Sequence, residues 1–335
     1  MKFVDMDING KREILSRVVA MQGTNSSVVE KDWWVTTVLR SLFSLPYSSS
    51  LSFKGGTSLS KCWKMINRMS EDIDIAIDRE YLGFGGTLSK NQISDRLRRA
   101  ACTFVREKMQ FDIADALIKD GIPENAFDVH VNITPISTTD PERIEIAYQS
   151  VIEENPYIRP RVIIEISGRS MNEPVRNVEI ASMIDISFPS APFVEPLFPV
   201  RAVLPERTFL EKLFLLHEEF AKQENLIRAE RMSRHLYDVG QMAEQGVADR
   251  ALSDDALYRS VIEHRRTFIG LKGFDYDTLN PDRISFVPPS NVLPIWRADY
   301  NFMRENMIYK DSPSFDELIT RIEALNKRVR QMADK

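Results

Sequence analysis

Apolar residues recur at helical spacing from Val28 through Trp34, Val35, Val38, Leu39, Leu42 and Phe43, and Pro46 ends the run. Ser27 followed by Glu30 reads as a capping box, so an amphipathic helix is expected there. A short strand follows over residues 51–54, then the turn Gly55-Gly56-Thr57 and a helix over 58–66. Ile73, Ile75 and Ile77 alternate with Asp72, Asp74 and Ala76, the period-two pattern of a half-buried strand with carboxylates at its start. A glycine-rich stretch at 82–87 interrupts, and a helix is expected over 91–120. Four strand-like runs come next at 127–136, 144–149, 161–167 and 175–184, with a polar turn at Asp140-Pro141 between the first two. Beyond Pro205 the periodicity becomes helical, over 206–223, 226–244, 254–271 and 314–332. The prolines between Phe188 and Pro205 mark a linker. The expected fold is therefore an α/β part with a mixed sheet over residues 1–190, followed by a mainly helical part over 191–335.

A chain of 335 residues can bury roughly three quarters of the surface its unfolded form exposes, enough for one large domain or two modest ones. No apolar run approaches the roughly 18 residues of a membrane span, and the opening MKFVDMDINGKRE lacks the apolar centre of a secretory signal. The two cysteines, Cys62 and Cys102, have neither zinc-site nor disulfide-framework spacing, so a reducing cytoplasm is the expected compartment. A net charge of -5 argues against nonspecific coating of nucleic acid but leaves room for a local basic groove. His130, His217, His235 and His264 are scattered without metal-ligand spacing.

The candidate chemistry lies at Asp72-Ile73-Asp74. In a strand, residues two apart project from one face about 6.5 to 7 Å apart, so two aspartates can converge on metal ions separated by roughly 3.5 to 4 Å. Asp5-Met6-Asp7 and Asp275-Tyr276-Asp277 carry the same triplet, and context separates them. Only Asp72 and Asp74 follow a strand ending in a glycine turn and stand on a strand with interleaved isoleucines. The glycines would let the backbone approach a phosphate, and Thr57 and Ser58 add hydroxyls. Glu165, between Ile164 and Ile166, falls on the polar face of its strand and is a candidate third acid if that strand neighbours Asp72 and Asp74. Gly83-Phe84-Gly85-Gly86 has no Lys-Ser/Thr at P-loop spacing and reads as a loop; Arg96, Arg98 and Arg99 read as a solvated helix face.

The run FKGGTSLSKCWKMINRMSEDIDIAI resembles the first motif of the AbiEii/AbiGii toxin family, a branch of the polymerase-beta-like nucleotidyltransferases. The resemblance implies a polymerase-beta-like α/β domain, with the helical part completing a nucleotide cleft. It implies Mg2+ held by Asp72, Asp74 and Glu165, and a nucleoside triphosphate against Lys54, Gly55, Gly56, Thr57, Ser58 and Ser70. Arg207-Thr208-Phe209-Leu210-Glu211-Lys212-Leu213 and Arg234-His235-Leu236-Tyr237-Asp238 are similar to the family's later motifs. By that match Lys212 contacts the triphosphate, Asp238 orients Lys212 or a water, and Arg234 assists nucleotide or acceptor binding; His235 stands where an acid is commoner. Glu30-Lys31-Asp32-Trp33-Trp34 resembles the family's opening motif, with Lys31 and Asp32 expected to border the cleft. The implied biology is a bacterial toxin of a toxin-antitoxin or phage-defence pair, with a cognate antitoxin and transfer of a nucleotide to tRNA or another RNA. Transfer to a protein or small molecule is the alternative within enzymology, and a noncatalytic triphosphate-binding regulator is the alternative outside it.

Overall fold

A computed structural model of the chain describes residues 2–132, 142–153 and 158–334. It divides into two compact units, Met1–Cys62 with Met69–Val203, and Trp63–Arg68 with Leu204–Lys335. The expected boundary at 190/191 thus gives way to a division after Val203, and a six-residue piece of the early chain joins the later unit. Prolines suggested a linker over 188–205, but Phe198, Val200 and Ala202 carry a buried alternation that makes a strand of it.

The first unit opens with helices α1 (Ile8–Gln22) and α2 (Ser26–Ser44). The cap of α2 is Asn25, whose side chain accepts from Val28 N at 3.0 Å. Ser27 therefore lies inside the first turn. Glu30 instead accepts from Ser150 Oγ and Val151 N, so the expected capping box is replaced by a tie to a distant loop. Strand β1 (Leu51–Lys54), helix α3 (Gly55–Lys61) and strand β2 (Asp72–Ile77) follow. A helical run with two π-type segments includes α4 (Arg98–Phe104) and α5 (Gln110–Lys119), close to the 91–120 expected. Then come β3 (Phe127–Asn132), β4 (Glu142–Tyr148), β5 (Arg161–Ser167), β6 (Val175–Ile180), the short helix α6 (Met183–Ser187) and β7 (Phe198–Val203). The expected strand over 175–184 stops at Ile180 because Ser182 and Asp185 form a capping box that starts α6. The expected end of the 127–136 strand and the turn at Asp140-Pro141 lie outside the described residues.

These strands make one mixed sheet in the order β3-β4-β5-β2-β1-β7-β6, with β2 parallel to β5 and β1 parallel to β7. Ile73, Ile75, Ile144, Ile146, Ile164 and Ile166 are fully buried, and Val38, Leu39, Leu42, Ile113 and Leu117 of α2 and α5 are equally so. Each such side chain contributes about 1.5 to 3 kcal/mol on leaving water. The alternation that buries the isoleucines fixes Asp72, Asp74 and Glu165 on the opposite face.

The second unit is helical: α7 (Pro205–Phe220), α8 (Ser233–Glu244), α9 (Val247–Ser253), α10 (Asp255–His264), α11 (Leu293–Met307) and α12 (Phe315–Arg330). Helix α8 begins seven residues later than the periodicity predicts, and α1, α9 and α11 went unassigned by periodicity. Gly240 of α8 faces Leu318 of α12, where an added Cβ would come 2.9 Å from Leu318 Cδ1. The segment Trp63–Arg68 is held by an irregular set of bonds. Asn67 O accepts from Tyr309 N at 3.0 Å, and the Arg68 guanidinium forks onto Asp238 at 2.7 and 2.8 Å. Arg68 and Asp238 are 3% and 0% exposed.

Burial by itself would raise the Asp238 pKa, but the Arg68 and Lys212 cations overcome it and hold the carboxyl well below the usual range. A depressed folded-state pKa contributes stability above the unfolded value of about 3.9, lost as pH falls below it. Asp238→Ala leaves Arg68 buried without its carboxylate, and the expected cost is about 3 to 5 kcal/mol. Urea unfolding at pH 7, followed by tryptophan fluorescence, checks this; a loss below about 1 kcal/mol would show that the pair contributes little.

Candidate active site

The sheet register assembles the acids in a row. Lys54 on β1 lies opposite Asp74 on β2, Asp74 lies beside Glu165 on β5, and Glu165 lies opposite Arg143 on β4. Partners in register share a face and stand about 4.5 to 5.5 Å apart, so the row reads cation, acid, acid, cation. Asp72 occupies the same face of β2 two residues before Asp74. All three acids are half-buried. Arg143 closes on Glu165 with Nη2 2.7 Å from Oε1.

Gly55 is essential to this packing on two counts. Its φ of +76° is the left-handed conformation that side chains disfavour, and a Cβ there would lie 2.7 Å from Asp74 Cγ. The turn therefore presses its backbone directly against the second aspartate. Thr57 and Ser58 are only 1% and 2% exposed. The Thr57 hydroxyl donates to the Asp72 carbonyl and lies 2.9 Å from Ser70 Oγ, tying the turn to the segment entering β2. Ser58 Oγ is buried with no partner among the described residues. Both hydroxyls expected to face a phosphate thus point into the protein, and Ser70 braces one of them.

The electrostatics of the row are strained. Burial raises the Glu165 pKa, Asp74 and, more weakly, Asp72 raise it further, and Arg143 opposes them. Three acids close enough to feel one another are the environment a cation relieves. Yet no three acidic, histidine or cysteine side chains among the described residues are gathered as a ready metal cage. Magnesium needs no such cage, because it is commonly bound by one or two carboxylates and completes its octahedron with substrate phosphates and water. Asp72 and Asp74 fit that demand, and Glu165 is engaged by Arg143 in this conformation.

The two other aspartate triplets have local duties. Asp7 caps α1 by accepting from Gly10 N at 2.8 Å, and Asp275 accepts from Asp277 N at 3.0 Å.

In the helical unit, Lys212 Nζ lies 2.9 Å from Asp238 Oδ2 and 3.3 Å from His235 Nδ1. Lys212 is 7% exposed, and burial lowers its pKa against the pull of Asp238. Burial, with the charges of Lys212 and Arg234, pushes His235 well below its ordinary value, so its ring is neutral. Arg234 is half-buried beside it on α8. Sequence reasoning missed Arg68, the main partner of Asp238, and Arg143, the partner of Glu165. Arg143 had a usable signal in its place beside the alternating Ile144 and Ile146; Arg68 had none beyond its position in an irregular segment.

The model of the family described as "Nucleotidyl transferase AbiEii toxin, Type IV TA system" matches residues 37–321. No curated protein is similar enough in sequence to count as a match. Among solved structures, the chain is similar to JHP933 from Helicobacter pylori at 15% identity and a TM-score of 0.41, over 90% of each chain. It is similar to the nucleotidyltransferase toxin MenT4 from Mycobacterium tuberculosis H37Rv at 15% identity and a TM-score of 0.40, over 95% of this chain and 99% of that one. A putative nucleotidyltransferase from H. pylori shares 13% identity at a TM-score of 0.40, over 93% of this chain and 98% of that one.

Gly55→Ala forces either the strained φ or a displaced Asp74. It is expected to lower stability by about 1 to 2 kcal/mol, read as a drop in midpoint by differential scanning calorimetry. Wild-type stability would show that the turn can relax. Glu165→Gln has the opposite expected sign. A carboxyl whose folded pKa is raised loses stability as pH rises through the folded value, so the neutral amide is expected to unfold later than wild type at pH 7 and equally near pH 4. Thermal midpoints across that range check it.

Proposed function

The chain belongs to the nucleotidyl transferase AbiEii toxin family of type IV toxin-antitoxin systems, and from that premise we propose that Asp72 and Asp74 direct magnesium-dependent transfer of a nucleoside monophosphate onto tRNA. A toxin nucleotidyltransferase takes a nucleoside triphosphate and has an antitoxin as its counterpart. Metal, acceptor, site residues and a role in phage defence are the further steps proposed here. The observation that carries the reading is the register that sets Asp74 beside Glu165 while Gly55 packs against Asp74.

In the proposed reaction an acceptor hydroxyl oxygen bonds to the α-phosphorus of the triphosphate, the bond to the β-phosphate bridge breaks, and pyrophosphate leaves. When bound, magnesium neutralises phosphate charge and stabilises the attacking and leaving oxygens. Asp72 and Asp74 hold the metal, and the open backbone of Gly55 and Gly56, with Lys54, receives phosphate. Thr57 and Ser70 keep the turn against β2. Glu165, whose proton affinity is raised by burial and its acidic neighbours, receives as a carboxylate the acceptor hydroxyl's proton. Lys212 acts as a phosphate contact and Arg234 as a nucleotide or acceptor contact; the 2.9 Å pair supports an orienting role for Asp238 on Lys212. No helix among the described residues is long and apolar enough to cross a membrane, and the cytoplasm, where triphosphates and tRNA meet, is the proposed place of action.

Incubating the protein with each α-labelled nucleoside triphosphate, magnesium and a tRNA pool tests the proposal. Label is expected in tRNA with at least one nucleotide, lost on chelation and reduced on the order of a hundredfold or more by Asp72→Ala and by Lys212→Ala. Label entering protein or a small molecule instead would overturn the tRNA acceptor. Triphosphate binding without transfer to any pool would overturn catalysis and leave a regulator.

A further inference from the structure

The Glu30-Lys31-Asp32 motif is left unexplained by that chemistry, and its contacts are specific. Lys31 is 3% exposed, and all three protons of its ammonium have acceptors: Glu71 Oε2 at 3.3 Å, the Arg159 carbonyl at 3.0 Å and the Arg161 carbonyl. Glu71 immediately precedes Asp72, and Arg161 opens the strand that carries Glu165. The next residue, Asp32, takes Lys61 Nζ on one oxygen and Met183 N on the other, the latter at 2.7 Å. Lys61 is the last residue of α3, the helix that starts at Gly55.

One turn of α2 therefore grips the chain at both ends of the irregular connection between α3 and β2. Between those ends, residues Trp63–Arg68 leave the first unit altogether. The start of β2 is already tied to the glycine turn through Thr57 and to β5 by register, and α2 adds a third hold from behind. A buried lysine is a costly brace, because removing an ammonium from water must be offset by well-placed acceptors. Its acceptors here lie at the entrances to both acid-bearing strands.

We propose that Lys31, seconded by Asp32, is a positioning residue that sets Asp72 relative to Glu165 for metal-triphosphate binding. This rests on the reading of Asp72 and Asp74 as metal ligands. Charge alone would act in the opposite direction. Asp72 is near enough to Lys31 for their charges to interact, so deleting that cation would strengthen the attraction for a metal if position were unaffected. Loss of a group hydrogen-bonded to a metal ligand weakens binding by about 10 to 100-fold, and Lys31, bonded to the residue just before the ligand, is placed at the lower end of that range.

The experiment measures Mn2+ binding to the full chain by paramagnetic resonance, in the presence of a nucleoside triphosphate with a non-cleavable α,β bridge. Asp72→Ala tests the underlying reading, and Glu30→Gln is the control, since Glu30 sits on the same turn but ties the Ser150 loop. The expected result is that Lys31→Met weakens Mn2+ binding about tenfold or more while Glu30→Gln binds like wild type. Lys31→Gln, which retains two donors for the carbonyls, is expected to fall between them and covers a failure of Lys31→Met to fold. Unchanged or tighter binding in both Lys31 variants, with Asp72→Ala still defective, would overturn the positioning role alone. Equal binding by wild type and Asp72→Ala would overturn the metal-ligand reading and this inference with it.

Discussion

The Asp74 carboxylate and the backbone of Gly55 compete for the same space, and much of the first unit follows from settling that competition. The aspartate must stand on the polar face of β2 because its isoleucine neighbours fill the core. The preceding strand must then turn away with no side chain at the turn, in a conformation that only glycine adopts cheaply. The Thr57 hydroxyl on the Asp72 carbonyl fastens the turn to the incoming strand. Acid and turn are thus a single packed object, and neither can shift without the other.

That object is costly to hold still. Burial first, and the acids crowded along adjacent strands second, disfavour the Glu165 carboxylate, and Arg143 offsets only part of that. The protein spends stability on an arrangement whose favourable partner is a cation and a polyanion rather than itself. Buried ion pairs appear in each unit where an irregular segment has to be fixed: Lys31 with Glu71 in the first, Arg68 with Asp238 in the second. Such pairs are poor sources of net stability, but a single removed partner leaves a stranded charge, so they define a conformation sharply. That suits a chain whose connection between α3 and β2 has no regular structure of its own.

Much of both units was legible in the chain. Period-two alternation located β2 and β5 to within a residue, and helical periodicity located α2, α7 and α12, because burial of one face leaves its spacing in the sequence. Strand β7 was hidden by prolines, and α1, α9 and α11 by weak or mixed patterns. The glycine turn next to Asp-x-Asp was distinguishable from the two other triplets only through its neighbours, and the structure gives those triplets capping work.

What the sequence by itself determined is which residues share a face and which backbone must be glycine, since side-chain period and φ preference are local properties. From those followed the acids of β2, the polar placing of Glu165 and the α/β character of the first half. Only the tertiary structure decided which strands adjoin, and hence that Glu165 stands beside Asp74 with Arg143 across from it. It likewise decided that Arg68 is the partner of Asp238 across 170 positions, and that Lys31 braces Glu71 across 40. Pairings of that kind depend on strand order and on where the chain returns, and no local spacing encodes them.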